Sequence, residues 1–207
     1  MIWKKAWTKS GSFSCRRFCR FPLISSQRKR LLHFEVQLGL PPYGPEALPF
    51  SATGLGTHSE GYVVKVVQST GTEWTGNFQR GLSGFDAVME HPNKQQIVVI
   101  AGGQAYVVDV DQPDQWYHFG GGIEYAHPLD ERDAILIGNG LWFELHGRRG
   151  IIWKSRRISW DGMREVRIES GKLFGLAWTY EPPDTWEAFL LDLSDGSVTG
   201  GTYTGPD

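Results

Sequence analysis

His91-Pro92, then Ile97-Val98-Val99-Ile100-Ala101-Gly102-Gly103-Gln104-Ala105-Tyr106-Val107-Val108-Asp109, then Trp116: this stretch decides the fold. Two apolar runs, each too short for an ordinary helix, flank a pair of glycines. Gly102-Gly103 suits a two-residue hairpin, because a type I′ turn needs positive φ at both central positions. The stretch returns as His127-Pro128, Ala134-Ile135-Leu136-Ile137-Gly138-Asn139-Gly140, Leu141-Trp142-Phe143-Glu144-Leu145-His146 and Trp153, offset by 36 to 37 residues. Asn139-Gly140 falls where the glycine pair stood, so the same turn is expected there.

A looser third copy follows. Leu173-Phe174-Gly175-Leu176-Ala177-Trp178 stands for the first apolar run, Glu181-Pro182-Pro183-Asp184 for a longer turn, and Ala188-Phe189-Leu190-Leu191-Asp192-Leu193 for the second run. Tyr106, Phe143 and Phe189 then become equivalent buried positions on the third strand of successive units. A half copy precedes them, with Gly61-Tyr62-Val63-Val64-Lys65-Val66 and the Trp74 strand matching the last two strands. The alternating His33-Phe34-Glu35-Val36-Gln37-Leu38 adds a strand to it. Gly and Pro interrupt the chain too often after Gly39 for more than a few helices: the longest stretch free of both is Asp184–Asp195.

A period of roughly 40 residues with four short strands per unit is that of a propeller blade. Over about residues 60–200 the chain resembles β-propeller repeat proteins, especially blades whose third strand ends in Asp before a Gly turn. It also resembles bacterial proteins of unknown function that end in a stretch like Trp160-Asp161-Gly162 through Asp192-Leu193-Ser194-Asp195-Gly196. The resemblance implies an all-β, propeller-like array of about 3.5 four-stranded blades and no particular activity. Such an array closes as a small propeller, stays an open arc, or packs as two twisted sheets.

Charge divides the chain. Of the 21 Lys and Arg, nine lie in residues 1–32, which hold no Asp or Glu; twelve remain against all 23 acids, a net charge of −11 for residues 33–207. Residues 1–32 read as a basic segment: disordered or translated from a misplaced start, a transit peptide, or an arm for anionic partners. Residues 33–207 read as the β-domain. An acidic body is a poor non-specific nucleic-acid binder. Both cysteines, Cys15 and Cys19, lie in the basic segment, so the body needs no oxidising compartment and a cytoplasmic location is expected. No apolar run reaches the roughly 20 residues of a membrane-spanning helix.

The residues that could carry chemistry point mostly to structure. His91 and His127 each precede Pro at one repeat position, yet His-Pro is an ordinary strand ending and no HExxH spacing accompanies it. No metal site and no cofactor are expected. Asp109, Asp111 and Asp114 mimic a calcium loop, but an EF-hand needs Gly sixth and Glu twelfth, where this chain has Asp114 and Gly120. Nucleophile elbows, P-loops and dinucleotide fingerprints are missing from the sequence. Repeated tryptophans suit packing between sheets. Trp160, beside Asp161, and Trp186, in a Pro-rich stretch, are the better candidates for exposure. Seven of the body's twelve cations fall within Arg148–Arg167, and Lys154, Arg156 and Arg157 among them are candidate contacts to a ligand or an acidic partner. The expected function is a non-catalytic binding or interaction module, its ligand unspecified by the sequence: a small ligand or another protein. The alternative is a hydrolase or lyase acting on a small or sugar-like substrate at the centre of the blades.

Overall fold

Gly102 and Gly103 both take positive φ, 53° and 82°, and Ala101 pairs directly with Gln104 across them. The expected two-residue hairpin is present, and the rest of the fold is built outward from it. The computed structural model describes residues 32–54, 59–180 and 185–206. The expectations for residues 1–31, and the turn through Glu181-Pro182-Pro183-Asp184, lie outside the described residues.

The described chain is all-β, with one 3-10 turn at Asp130–Arg132. Its strands form four sheets of four. The first holds β1 (His33–Gln37), β2 (Leu48–Phe50), β3 (Tyr62–Val67) and β4 (Glu73–Phe78), in the order β1-β3-β4-β2. The other three run in simple chain order. They are β5 (Ala87–Glu90), β6 (Gln96–Ala101), β7 (Gln104–Asp109) and β8 (Trp116–Gly120); β9 (Tyr125–Leu129), β10 (Ala134–Gly138), β11 (Phe143–Gly147) and β12 (Gly150–Lys154); and β13 (Met163–Glu169), β14 (Lys172–Trp178), β15 (Trp186–Asp192) and β16 (Val198–Gly200). Neighbours pair antiparallel throughout, except that β2 lies parallel to β4. The strand expected from His33 onward is β1, and Leu32 before it is buried, its N–H donating to Glu90 across 3.0 Å.

Three apolar clusters join the sheets in sequence. Val64, Val66 and Phe78 of the first sheet meet Ile97, Val99, Tyr106 and Val108 of the second. Val98, Ile100, Ala105 and Val107 meet Ile135 and Ile137 of the third. Leu136, Phe143 and Leu145 meet Leu173, Phe189 and Leu191 of the fourth. Two indoles tie seams of this kind: Trp74 Nε1 donates to Val110 O at 3.0 Å, and Trp153 Nε1 to Leu193 O at 3.2 Å.

The hand of these contacts follows from backbone hydrogen bonds. In a strand of L-residues, the side toward which N–H and C=O point fixes the face the side chain takes. Gln68 and Asp109 donate to the strand that follows them, at Thr72 and Gln115, and Phe143 O accepts from Ser155. Residues in phase with these bonds (Val64 and Val66, Ala105 and Val107, Phe143 and Leu145) all face the following sheet. Those in the opposite phase (Tyr106 and Val108, Phe189 and Leu191) face the preceding one. Each seam therefore joins the front of one sheet to the back of the next, with one hand.

Tyr106, Phe143 and Phe189 are all buried, on third strands that pair with the preceding apolar run. They are not equivalent, because Phe143 faces forward and the other two backward. The cause lies in the turn before Phe143. Asn139 N–H bonds to Trp142 O at 3.4 Å, so the tight turn is Gly140-Leu141 and not Asn139-Gly140. Gly140 has φ 80° and Leu141 is absent from the positive-φ residues, the pattern of a type II′ turn. A slip of one residue sends every side chain to the other face.

The turn at Gly103 tolerates little. A Cβ there would stand 2.9 Å from both N and O of Ile123, on a residue whose φ is 82°. Gly103→Val is expected to cost about 2 kcal/mol or more, from the left-handed backbone and the clash together. Urea unfolding reads this directly, and an unchanged midpoint would contradict the turn.

Candidate functional site

The fourth sheet has a front face with no sheet against it among the described residues. Asp192 N–H bonds outward to Ser197, and Ala188 O accepts from Gly201, so Ala188 and Leu190 point forward with Trp186. Phe174, Leu176 and Trp178 oppose them across the ladder. The second sheet shows what these positions do when covered. Phe174 pairs with Leu190 as Val98 pairs with Val107, and Leu176 pairs with Ala188 as Ile100 with Ala105. Val98, Ile100, Ala105 and Val107 are at most 1 % exposed beneath the third sheet. Their counterparts are half-buried, and Ala188 is exposed.

Arginines lie over this apolar face. Arg164 stands 4.2 Å from the ring centre of Trp186, and Arg167 5.2 Å from that of Phe174. Both arise from β13, where a bulge between Arg164 and Arg167 lets the two share the face despite their spacing. Ring contacts then continue past the sheet end, from Trp178 to Tyr180 at 5.6 Å, Tyr180 to Trp160 at 6.3 Å and Trp160 to Tyr203 at 4.7 Å. Arg157 sits 4.5 Å from Tyr203 and 5.8 Å from Trp160, its guanidinium fixed by the carbonyls of Ser159 and Trp160. Guanidinium over an aromatic face is favourable electrostatically and keeps the arginine ordered before any partner arrives.

Three of the residues singled out in the sequence lie along this surface, Trp160 and Arg157 in contact and Trp186 against Arg164. Trp186 is the first residue of β15, and Trp160, 37 % exposed, lies in the link between β12 and β13. The other two stand elsewhere. Arg156 straps the backbone, donating to Gly200 O at 2.6 Å and Arg157 O at 2.9 Å. Lys154 lies 4.0 Å above the Trp142 ring and 3.3 Å from Glu144. Arg164, from the same basic stretch, joins the surface, and so do Tyr180 and Tyr203, which sequence reasoning missed because their partners are distant in sequence.

Lys154 belongs to a second cluster, at the seam of the second and third sheets. Glu144 accepts from Trp142 Nε1 at 3.1 Å and lies 3.1 Å from His146 Nε2, whose ring stacks on Phe119 at 4.8 Å. A cavity of about 180 Å³ opens beside them, lined by Phe119, Ile123, Ile137 and Trp142 as well as Glu144 and His146. Burial pushes the Glu144 carboxyl up, but its three donors outweigh that and hold it below the usual carboxylate range. No Ser, Thr, Tyr or Cys lines the cavity. The two repeat histidines are not paired: His91 is buried in the turn after β5, and His127 is exposed within β9. Among the described residues no three His, Cys, Asp or Glu gather in a way that could hold a metal ion, and no helix is long and apolar enough to cross a membrane. The chain matches no protein-family model and none of the curated proteins.

Burial lowers the pKa of both His91 and His146; Asn93 and Glu144 respectively oppose the shift without cancelling it. A histidine whose folded pKa is depressed takes up its proton more readily in the unfolded chain. Its contribution is complete above the ordinary value of about 6.5 and is lost as pH falls below it. Thermal midpoints are therefore expected to drop between pH 7 and 5, and less so in His146→Gln. A flat profile over that range would contradict the lowering of both histidines by burial.

Proposed function

We propose that the four sheets are blades of a propeller-like array, and that the chain is a non-catalytic interaction module docking another protein on the front of its fourth sheet. One observation carries the reading: the four apolar positions buried in the second sheet are half-buried or exposed in the fourth, beside Arg164 and Arg167. A face of this composition supplies what interface centres favour, aromatic and arginine side chains around an apolar middle. Front-to-back packing with one hand supports the blade description, since rotation about an axis repeats the same contact at each step. A cysteine-free body suits a cytoplasmic setting. The Glu144 cluster supports the enzyme alternative poorly, because its carboxylate is already engaged by an indole, an ammonium and an imidazole.

The test compares Arg164→Glu and Trp160→Ala with Glu144→Gln in affinity capture of protein partners. Partners of the wild type should be lost from the first two, with binding weakened about tenfold or more, and kept by Glu144→Gln. Capture that survives at Arg164→Glu and fails at Glu144→Gln would move the site to the seam of the second and third sheets.

A further inference from the structure

Along Trp142-Phe143-Glu144-Leu145-His146 the side chains alternate. Phe143 and Leu145 go forward into the core with the fourth sheet, and Trp142, Glu144 and His146 fall on the other side, toward the second. Directly opposite residues of an antiparallel pair share a face, so Lys154, paired with Glu144, and Ile151, paired with His146, lie on that side too. Phe119 and Gly120 of β8 and Ile123 after it face them, and the cavity of about 180 Å³ lies between. Its walls are apolar apart from Asn139, Glu144 and His146.

The polar part is held in place before any ligand arrives. Asn139 Oδ1 accepts from the backbone N–H of both Leu141 and Trp142 at 3.1 Å, and Trp142 Nε1 donates to Glu144 at 3.1 Å. Glu144 is ionised at neutral pH, since burial pushes its pKa up but its donors more than reverse that. His146 carries no charge there, because burial lowers its pKa.

Lys154 shows what the carboxylate and the indole face recognise. Its Nζ lies 4.0 Å from the centre of the Trp142 ring and 3.3 Å from Glu144 Oε1. An ammonium between a π face and a carboxylate gains from both. Lys154 nevertheless uses the place poorly. Its side chain is 50 % exposed, and pairs of such exposure contribute little net stability. Its stem forms no part of the cavity wall. An ammonium joined to a short apolar tail makes the same two contacts and also buries the tail against Phe119, Ile123 and Ile137, a gain that Lys154 forgoes. A void of about 150 Å³ admits one benzene-sized molecule, so a tail of one ring fits.

We propose that this cavity binds a small organic amine in its protonated form, with the ammonium in the place of Lys154 Nζ between Trp142 and Glu144 and the apolar tail in the seam of the second and third sheets. The site stands apart from the face of the fourth sheet and takes a small molecule where that face takes a protein. Charge distinguishes it from a merely apolar hollow, because a neutral molecule of the same shape leaves the carboxylate unused.

Titration of the full chain with benzylammonium at pH 7, followed by NMR, tests this. The reporter is the indole N–H of Trp142, identified by its loss in Trp142→Phe; its bond to Glu144 makes it sensitive to whatever the carboxylate holds. Wild type should show a saturable shift with a Kd of about 1 mM, within reach of a ligand of about eight heavy atoms. Lys154→Met removes the competing ammonium and keeps the stem, and should tighten binding about tenfold; Glu144→Gln should weaken it about tenfold or more. Benzyl alcohol, the neutral counterpart, should bind at least tenfold more weakly than benzylammonium. Thermal unfolding checks that each variant is folded, and if Glu144→Gln is not, Lys154→Met and the neutral probe still decide. A Trp142 resonance that stays fixed up to about 20 mM benzylammonium in both wild type and Lys154→Met overturns the inference. Equal affinity for benzyl alcohol overturns it in favour of an apolar hollow. Unchanged affinity in Lys154→Met puts the ammonium somewhere else and overturns it as well.

Discussion

The fold depends on a single hairpin that is apolar on both sides. Along β6 and β7, Ile97, Val99, Tyr106 and Val108 go to one core, while Val98, Ile100, Ala105 and Val107 go to another. A strand pair with alternating polarity needs one neighbour; this one needs two. A four-stranded sheet of this size has too little of its own surface to bury and is marginal alone in water. The second sheet therefore recruits the first on its back and the third on its front. The third, given its own front by Leu136, Phe143 and Leu145, recruits the fourth. Directional packing begins with the two-faced burial of Gln96–Asp109 and propagates one seam at a time.

Much of this could be read from the residues. Apolar runs broken by Gly at short intervals gave strands and their hairpins, and Gly102-Gly103 specified its own turn. The phase of the next hairpin was not legible. Asn139-Gly140 satisfies one turn chemistry and Gly140-Leu141 another, both two residues long, and the choice between them reverses which side of the strand is Phe143 and which is Glu144. Only packing decides, because Phe143 must reach Phe189, at 6.2 Å between ring centres, and lie over Gly138 and its missing side chain. β2 was invisible for another reason: Leu48-Pro49-Phe50 is three residues long with a Pro at its middle, and it pairs in parallel with a strand more than twenty residues later.

Legibility of the surface was uneven in the same way. Trp160 and Arg157 are neighbours in sequence and meet in space. Arg164 and Trp186 meet across the sheet from β13 to β15, over β14, and no local pattern announces it. Lys154, Arg156 and Arg157 looked alike as a cluster of cations. Their tasks differ: one pairs with Glu144, one straps the backbone at Gly200, and one lies against Tyr203 and Trp160. The carbonyl that Arg156 reaches comes from the far end of the chain, which composition cannot reveal.

The tied and untied seams differ mechanically. Apolar contact resists the separation of two sheets but opposes their sliding only weakly, since it is nearly non-directional. A hydrogen bond from an indole to one particular carbonyl has a direction and a length, and it resists shear. Trp74 supplies that bond between the first and second sheets, and Trp153 between the third and fourth. At the middle seam the indole of Trp142 is turned to Glu144 of its own sheet, and a stacked pair, Phe119 on His146, takes the place of a tie. The side-chain ties thus fall at the first and last seams, while the middle seam relies on backbone bonds through Ile123 and Glu124, to Gly103 O and Gly138 O.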